Sequence, residues 1–284
     1  MLRAMDSYKT IVVHLDNARR RAETLNLALG LAGAFDGHLV ALYAPGLPRI
    51  SAASLGEGSS VVRELELQRM REAAEQCERE CRDALRSRGG EKTEWRYAKG
   101  DALAAIRLSA RYADLVVMGQ PDRYEDDINE PHAAFPGDVV MSVGRPVLFV
   151  PYAGRFASVG ARVLLAWNAS REAARAVSDA LPFLARAKRV EVVAFDPERN
   201  PDHGQVPGAD IALYLARHGV KASAAQQTGT RIDIGAQILS RAADIEADLI
   251  VMGAYGHSRF RELVLGGATR TVLESMTVPV LMSH

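Results

Sequence analysis

The feature that most constrains this chain is a set of short hydrophobic runs that occurs twice in the same order. The run ADLVVMG ends at Gly119, and its near copy ADLIVMG ends at Gly253. Earlier in each half, IVVHLDNARR from Ile11 aligns with VLLAWNASRE from Val163. Short aliphatic runs of this kind are typical of parallel strands that are buried on both faces. The sequence therefore predicts two copies of one folding unit within 284 residues.

In both copies the predicted strands alternate with predicted helices. Strands are predicted at 10–16, 38–44, 93–98, 114–118, 146–151, 162–168, 190–195, 220–226, 249–252 and 278–282, and helices at 18–34, 61–88, 102–112, 170–184, 211–218, 234–245 and 268–276. This alternation predicts an α/β fold with two doubly wound open parallel sheets in tandem, whose ligands bind at the carboxyl ends of the strands. A Gly-containing linker follows Tyr152, so we predict domains at 1–152 and 153–284.

The second copy carries a glycine pattern after its fourth strand. Gly253 ends the hydrophobic run, Gly256 follows after two residues, and a glycine pair at 266–267 comes after nine more. A predicted helix begins directly behind that pair. Glycines let backbone N–H groups approach an anion, and a first helical turn presents unpaired amides and the positive end of the helix dipole. The pattern predicts a cradle for nucleotide phosphates, although a tight turn between helix and sheet would also require glycines.

This pattern differs from the two common glycine signatures for phosphate. A P-loop has a lysine and a serine or threonine after its last glycine, whereas Gly267 and Ala268 stand here. A dinucleotide fingerprint follows the first strand of its domain, whereas this pattern follows the fourth. The spacing G-x2-G-x9-G, with ADLIVMG before it and VPVL after it, resembles the ATP-binding signature of the universal stress protein family. The resemblance covers both copies, as in the tandem members of that family.

The resemblance implies a Rossmann-like sheet of the adenine nucleotide α-hydrolase type that binds ATP, or ADP or AMP. It also implies a regulatory protein of the stress response without a defined reaction. It assigns the phosphates to the glycines, the loop behind them and the first helical amide, and the adenine and ribose to the ends of three strands. The phosphate set is Gly253, Gly256, His257, Ser258, Gly266, Gly267 and Ala268, and the adenine and ribose set is Val193, Ala194, Met252 and Asn168.

Two positions depart from the family pattern. Members often carry a carboxylate after the first strand, near the ribose and phosphates, where this chain has Asn168. An asparagine hydrogen-bonds a hydroxyl but does not balance the charge of a magnesium ion. Gly267 stands where a serine or threonine hydroxyl is common. The sequence thus favours nucleotide binding through backbone amides over magnesium-assisted hydrolysis, and it predicts no catalytic residue.

The first copy lacks the glycine pattern. Asp122 stands at the position of Gly256, Pro121 precedes it, and an acidic stretch follows. A carboxylate repels phosphate, and a proline removes an amide donor. We therefore predict that the first domain is a degenerate copy that serves as a structural partner to the second.

Composition limits the other partners. Lys+Arg and Asp+Glu both number 35, which leaves no excess of positive charge for nucleic acid or an anionic membrane. No apolar run approaches the roughly 20 residues of a membrane span, and the first residues lack the apolar core of a signal peptide, so we expect a cytoplasmic protein. Cys77 and Cys81 continue an apolar helical stripe and are expected in the core. The last predicted strand, 278–282, is expected to pair with the other domain or with a second chain in a homodimer.

Two rival hypotheses remain open from the sequence. A nucleotide-handling enzyme, such as a slow ATPase, would need a metal-binding carboxylate beside the loop, which Asn168 does not supply. A nucleotide-independent dimeric interaction protein would use its glycines only as turns. The intact spacing in the second copy disfavours that hypothesis, because the first copy has lost it.

Overall fold

In a computed structural model, the chain is described at residues 7–46, 59–88, 92–121, 134–199, 208–228, 232–256 and 267–284. The strands are β1 (Thr10–Leu15), β2 (His38–Tyr43), β3 (Thr93–Tyr97), β4 (Leu115–Gly119), β5 (Val147–Val150), β6 (Arg162–Trp167), β7 (Arg189–Phe195), β8 (Ala222–Gln227), β9 (Leu249–Gly253) and β10 (Val280–Ser283). The helices are α1 (Arg21–Phe35), α2 (Ser59–Arg88), α3 (Ala102–Ala110), α4 (Phe135–Ser142), α5 (Arg171–Leu184), α6 (Ala209–Arg217), α7 (Ile234–Asp244) and α8 (Ala268–Ser275).

The ten strands of the described residues belong to one sheet in the order β3-β2-β1-β4-β5-β10-β9-β6-β7-β8. Within each half every neighbouring pair is parallel, with the reversal of strand order that defines a doubly wound fold. The predicted tandem of two doubly wound α/β halves is therefore confirmed. The sequence did not show that the sheets of the two halves would join into a single continuous sheet.

The two halves join edge to edge through their last strands. β10 pairs antiparallel with β5, and Leu281 lies opposite Leu148 at the centre of the pairing. The predicted pairing of the final strand thus occurs between the two halves of one chain. Because β5 and β10 cover each other, the outer edges of the sheet are β3 and β8.

Helices cover both faces of the sheet. Buried side chains of α1, α2, α5 and α6 form one hydrophobic cluster, and those of α3, α4, α7 and α8 form another. The strand residues alternate between the two clusters: Val163 and Leu165 face the first, and Leu164 and Ala166 face the second. Both faces of each strand are therefore buried, which explains the uninterrupted hydrophobic runs in the sequence.

Three aromatic rings pack across the boundary between the two halves, on the face of the sheet that α1 and α5 cover. Tyr8, Phe35 and Phe183 contact one another, with ring centroids 4.9 to 5.4 Å apart. The Tyr8 hydroxyl donates to the Asp179 carbonyl at 2.6 Å, across the boundary between the halves. Phe35 and Phe183 are both less than a tenth exposed. This contact and the β5–β10 pairing make the halves one packed body.

The structure adds α4, which the sequence analysis did not predict. Its short stretch carries a proline and a glycine near its start, and these weaken the helical pattern. α4 occupies in the first half the chain position that α8 occupies in the second. The helix α1 begins at Arg21 rather than at 18, because the Asp16 carboxylate accepts from the Ala18 amide and forms a turn there.

The cysteines are buried, as expected, beside an ion pair between α1 and α2. Burial raises the pKa of the Cys77 thiol to about 12 and that of Cys81 to about 11, so both stay protonated at neutral pH. Nearby, Arg21 donates through Nε and Nη2 to the two oxygens of Glu80 at 2.8 and 2.9 Å. The hydrogen bond from Arg21 is the main reason that the pKa of Glu80 lies below its ordinary value.

This ion pair predicts a pH-dependent contribution to stability. A carboxyl group with a depressed folded-state pKa stabilises the fold above its unfolded pKa, near 4.3, and loses that stabilisation as the pH falls through the folded value. We expect Glu80→Gln to lower the midpoint of urea unfolding at pH 7 and to change it little at pH 3. The control is Glu75→Gln, because Glu75 is 69% exposed and lies 3.9 Å from its partner Arg79. Equal losses from Glu80→Gln at both pH values would contradict the prediction.

Candidate functional site

The candidate site lies at the carboxyl edge of the second half, where three neighbouring strands end. β9, β6 and β7 are adjacent in the sheet, so the segments that follow them meet at this edge. The segment after β6 is a tight turn into α5. The segment after β9 carries Gly256, and α8, which connects β9 to the parallel strand β10, begins at Ala268 at the same carboxyl edge of the sheet. The turn after β6, the Gly256 segment after β9 and the start of α8 therefore meet at one edge of the sheet.

The turn between β6 and α5 is fixed by two polar side chains. Asn168 Oδ1 accepts from the Ser170 amide at 3.2 Å, and Ala169 between them has a φ of 57°. Ser170 Oγ then accepts from the Ala173 amide at 3.1 Å and caps α5. In the first half Asp16 makes the same turn with the Ala18 amide. Asn168 therefore has a structural role, whether or not it also contacts a ribose.

Gly253 is required by packing rather than by an anion. A methyl group at Gly253 would lie 2.5 Å from the Ala173 nitrogen and 2.6 Å from the Glu172 carbonyl carbon. Both are backbone atoms of the first turn of α5, which therefore sits directly against the end of β9. The alternative left open by the sequence, a tight contact between helix and sheet, holds at this glycine.

The start of α8 presents free amides beside the end of β9. Gly267 is the N-cap residue, and among the described residues no side chain caps the helix. The first amides of an α-helix have no acceptor within the helix. The Tyr255 amide donates to Thr269 Oγ1 at 3.1 Å and ties the β9 segment to the first turn of α8. Tyr255 has a φ of 56°, so the chain turns sharply just before Gly256.

α7 supports the start of α8 through a second close glycine contact. A methyl group at Gly235 would lie 2.6 Å from Thr271 Cβ and 2.8 Å from the Ala268 carbonyl oxygen. The Asp233 carboxylate accepts from the Gly235 and Ala236 amides and caps α7. The first turn of α8 therefore packs directly against the start of α7.

A buried carboxylate faces Gly256. An ideal Cβ on Gly256 would lie 3.1 Å from Glu172 Oε2 and 3.1 Å from Ser170 Oγ. Glu172 is 3% exposed, and its Oε1 accepts a hydrogen bond from Arg171. No described residue donates to Oε2. Burial raises the pKa of Glu172, but the bond from Arg171, its own amide and the charge of His284 outweigh burial and hold the pKa below its ordinary value. The carboxylate is therefore ionised at neutral pH.

The residues predicted to contact the adenine lie at the ends of their strands. Val193 and Ala194 are fully buried in β7, and Met252 in β9 is 5% exposed. Met252 pairs in register with Ala166, and Val193 pairs with the same residue from the other side. Val193 and Met252 therefore flank Ala166 on the two strands next to β6, in both cases near the carboxyl end of the strand. Their contact with an adenine ring stays a prediction.

Three residues of the predicted phosphate set lie outside the described residues, namely His257, Ser258 and Gly266. Asp122, the first-half counterpart of Gly256, also lies outside them. Their assignment stays as the sequence predicts it.

The first half builds a different environment at the equivalent edge. Helix α4 has Pro136, which lacks an N–H group, and Asp138, whose carboxylate lies in the first turn. The Tyr255 hydroxyl of the second half packs against Gly137, so this helix start is covered. A proline, an acidic side chain and a covering ring all disfavour an anion there. These features support the predicted asymmetry between the halves.

Glu172 is the residue that the sequence analysis missed. In the alignment of the two copies Asp16 stands opposite Asn168 and Arg20 stands opposite Glu172, so the second copy carries its carboxylate one helical turn later. Arg20 instead donates to the Gly154 carbonyl. The exchange of charges is visible in the aligned sequences, but only the fold shows that Glu172 faces Gly256.

Comparisons with known proteins agree with this architecture. A model of the universal stress protein family matches residues 7–126 and 161–284. The chain is similar to the crystal structure of a universal stress protein from Archaeoglobus fulgidus, with a TM-score of 0.69 at 18% identity over 98% of this chain and 97% of that one. It is also similar to a putative universal stress protein from Pseudomonas aeruginosa, with a TM-score of 0.55 at 16% identity over 99% of this chain and 94% of that one. At these identities the likeness concerns the fold.

Sequence similarity to a further relative is local. Universal stress protein Slr1230 from Synechocystis is 53% identical over 38 residues, which span 13% of this chain and 13% of that protein. Within the described residues, no helix is long and apolar enough to cross a membrane. Nor do the described residues contain a group of three or more histidine, cysteine and acidic side chains placed to hold a metal ion by themselves.

Proposed function

Because the chain belongs to the universal stress protein family, in the tandem form with two repeats, we propose that it is a stress-response regulator that binds ATP or a related adenine nucleotide. The site is in the second half. The phosphates lie against Gly256, Gly267 and the first amides of α8, and the base lies toward the end of β7. The first half binds no nucleotide in this way and acts as a structural partner.

The observation that carries this proposal is the uncapped start of α8 opposite the turn at Gly256. Two of the other described helices begin with an acidic cap, Asp101 for α3 and Asp233 for α7. α8 has a glycine at that position instead. Free first-turn amides and the helix dipole attract an anion, and a glycine N-cap leaves room for one.

The local packing supports the same assignment. The Tyr255–Thr269 bond and the α7 contact fix the first turn of α8 before any ligand arrives. Pre-ordered donors lose little entropy on binding, and this raises affinity. Asn168 and Ser170 put polar side chains at the neighbouring turn, and we assign the ribose hydroxyls to this part of the site.

The test is calorimetric titration of the whole protein with ATP, ADP and AMP, each with magnesium and with EDTA. We expect saturable binding close to one site per chain. The variant Gly256→Asp places a second carboxylate beside Glu172 and the phosphates, so we expect affinity to fall by at least about 100-fold through charge repulsion at close range.

The matched control is Gly33→Asp. Gly33 lies on the exposed side of α1 with no atom near an added Cβ, so the variant adds the same charge far from the site. It should bind as the unmodified protein does. Absence of binding by all three proteins would reject the nucleotide hypothesis and favour an interaction protein whose glycines serve only as turns.

A further inference from the structure

Glu172 Oε2 is a buried carboxylate oxygen that accepts no hydrogen bond from any described residue, and it lies beside the proposed phosphate site. Glu172 is 3% exposed, its Oε2 has no described donor, and that atom would lie 3.1 Å from a Cβ on Gly256. A buried oxygen of an ionised carboxylate that accepts no hydrogen bond is costly, because burial removes the water that would otherwise solvate it. A polyphosphate placed directly against it would add repulsion between like charges.

We propose that Glu172 Oε2 is a ligand of a divalent cation that bridges this carboxylate and the nucleotide phosphates. The inference rests on the proposed nucleotide site. Magnesium is commonly held by one or two carboxylates together with substrate phosphates and waters, so a single protein carboxylate suffices. The cation would satisfy Oε2 and remove its repulsion from the phosphates in one step. Glu172 itself supplies at position 172 the negative charge that Asn168 does not supply at position 168.

The neighbouring groups fit this role. Arg171 holds Glu172 Oε1 and leaves Oε2 directed to the Gly256 side. Ser170 Oγ lies the same 3.1 Å from the Gly256 Cβ position, so a neutral oxygen stands beside the carboxylate. His284 Nδ1 donates to the Ala254 carbonyl oxygen at 3.0 Å, and the charge of His284 favours the ionised form of Glu172. Oxygen donors of this kind are the ones that magnesium prefers.

The repeat offers an internal contrast. Arg20 stands at the matching position of the first half, where its guanidinium points to the Gly154 carbonyl. A cation site there would meet a positive charge instead of a carboxylate. The proposed metal position is therefore specific to the half that carries the glycine pattern.

The experiment compares ATP affinity in magnesium and in EDTA for the whole protein and for Glu172→Gln. Glutamine keeps the size of the side chain and an oxygen that accepts from Arg171. We expect magnesium to tighten ATP binding to the unmodified protein by about 10-fold or more, within the usual range of coupling between two ligands. In Glu172→Gln this gain should disappear, and affinity in EDTA should stay equal or rise because a repulsive charge is gone.

Two further variants make the result specific. Glu172→Asp keeps the charge on a shorter side chain and should retain part of the magnesium effect, which also tests the inference if the glutamine variant folds poorly. Glu246→Gln removes an exposed carboxylate at the opposite edge of the sheet and should change nothing. An unchanged magnesium effect in Glu172→Gln, or ATP binding that is independent of magnesium in the unmodified protein, overturns this inference alone. No ATP binding under any condition overturns the proposed function with it.

Discussion

Replacing Gly253 by alanine is expected to destabilise the second half by about 3 kcal/mol, at the upper end of the usual cost of overpacking. The added methyl group would lie 2.5 Å from the Ala173 nitrogen and 2.9 Å from Glu172 Cβ. These atoms belong to the first turn of α5, which the Ser170 cap holds in place, so relief requires the helix and β9 to separate. The measurement is the midpoint of urea unfolding.

The repeat provides the matched control. Gly119 is the counterpart of Gly253 in the first half, but a methyl group there would meet only Thr24 Oγ1, at 3.3 Å. A hydroxyl on a side chain moves by a few tenths of an ångström more easily than backbone, so Gly119→Ala should change stability by less than about 1 kcal/mol. Equal losses at the two glycines would show that the close approach of α5 to β9 does not restrict this position.

The second large effect is expected at the aspartate of the repeated ADL sequence. Asp248 accepts from the amides of Gly160, Ala161 and Arg162 at 2.8 to 3.2 Å, so one carboxylate holds the chain as it enters β6. Bonds from amides to a charged acceptor are stronger than neutral ones. We expect Asp248→Ala to lower the free energy of unfolding by about 2 to 4 kcal/mol, because three donors lose their acceptor at once.

Two comparisons identify the cause of that loss. Asp248→Asn keeps one acceptor oxygen and should recover part of the stability. Asp114→Ala removes the equivalent carboxylate of the first half, which among the described residues accepts from two amides, those of Lys9 and Thr10, and should cost less. A loss at Asp248→Asn as large as at Asp248→Ala would mean that charge, rather than the number of acceptors, determines the effect.

Much of the fold followed from local patterns. The hydrophobic runs predicted the strands to within about two residues at most ends, which is the usual uncertainty of such boundaries. Ser170 and Asp101 were predicted as helix caps, and both accept from the amide three residues on. Such features depend only on neighbouring residues, so a sequence reveals them. β8 began later than predicted because the Val220 amide closes the end of α6 on the Leu215 carbonyl.

The candidate site was predicted in part. The glycine pattern predicts a nucleotide site at the carboxyl edge of the second half, and the structure brings Gly256, Gly267 and Ala268 to that edge. That a nucleotide binds there stays a prediction. The structure also separates two reasons for glycine that the sequence could not distinguish: a side chain at Gly253 would meet the backbone of α5, whereas one at Gly256 would meet the side chains of Glu172 and Ser170. Glu172 was missed because its role depends on a contact between residues 84 positions apart in the chain.

The sequence by itself determined the repeat, the alternation of strands and helices, and the half that keeps the glycine pattern, because these are carried by residue type and spacing. Only the tertiary structure decided that β5 and β10 join the halves into one sheet. Each half has edge strands that could pair, and local sequence patterns do not indicate which edge strand pairs with which. The tertiary structure also decided that a buried carboxylate faces the glycine turn. Both depend on distances between remote parts of the chain, which packing alone sets.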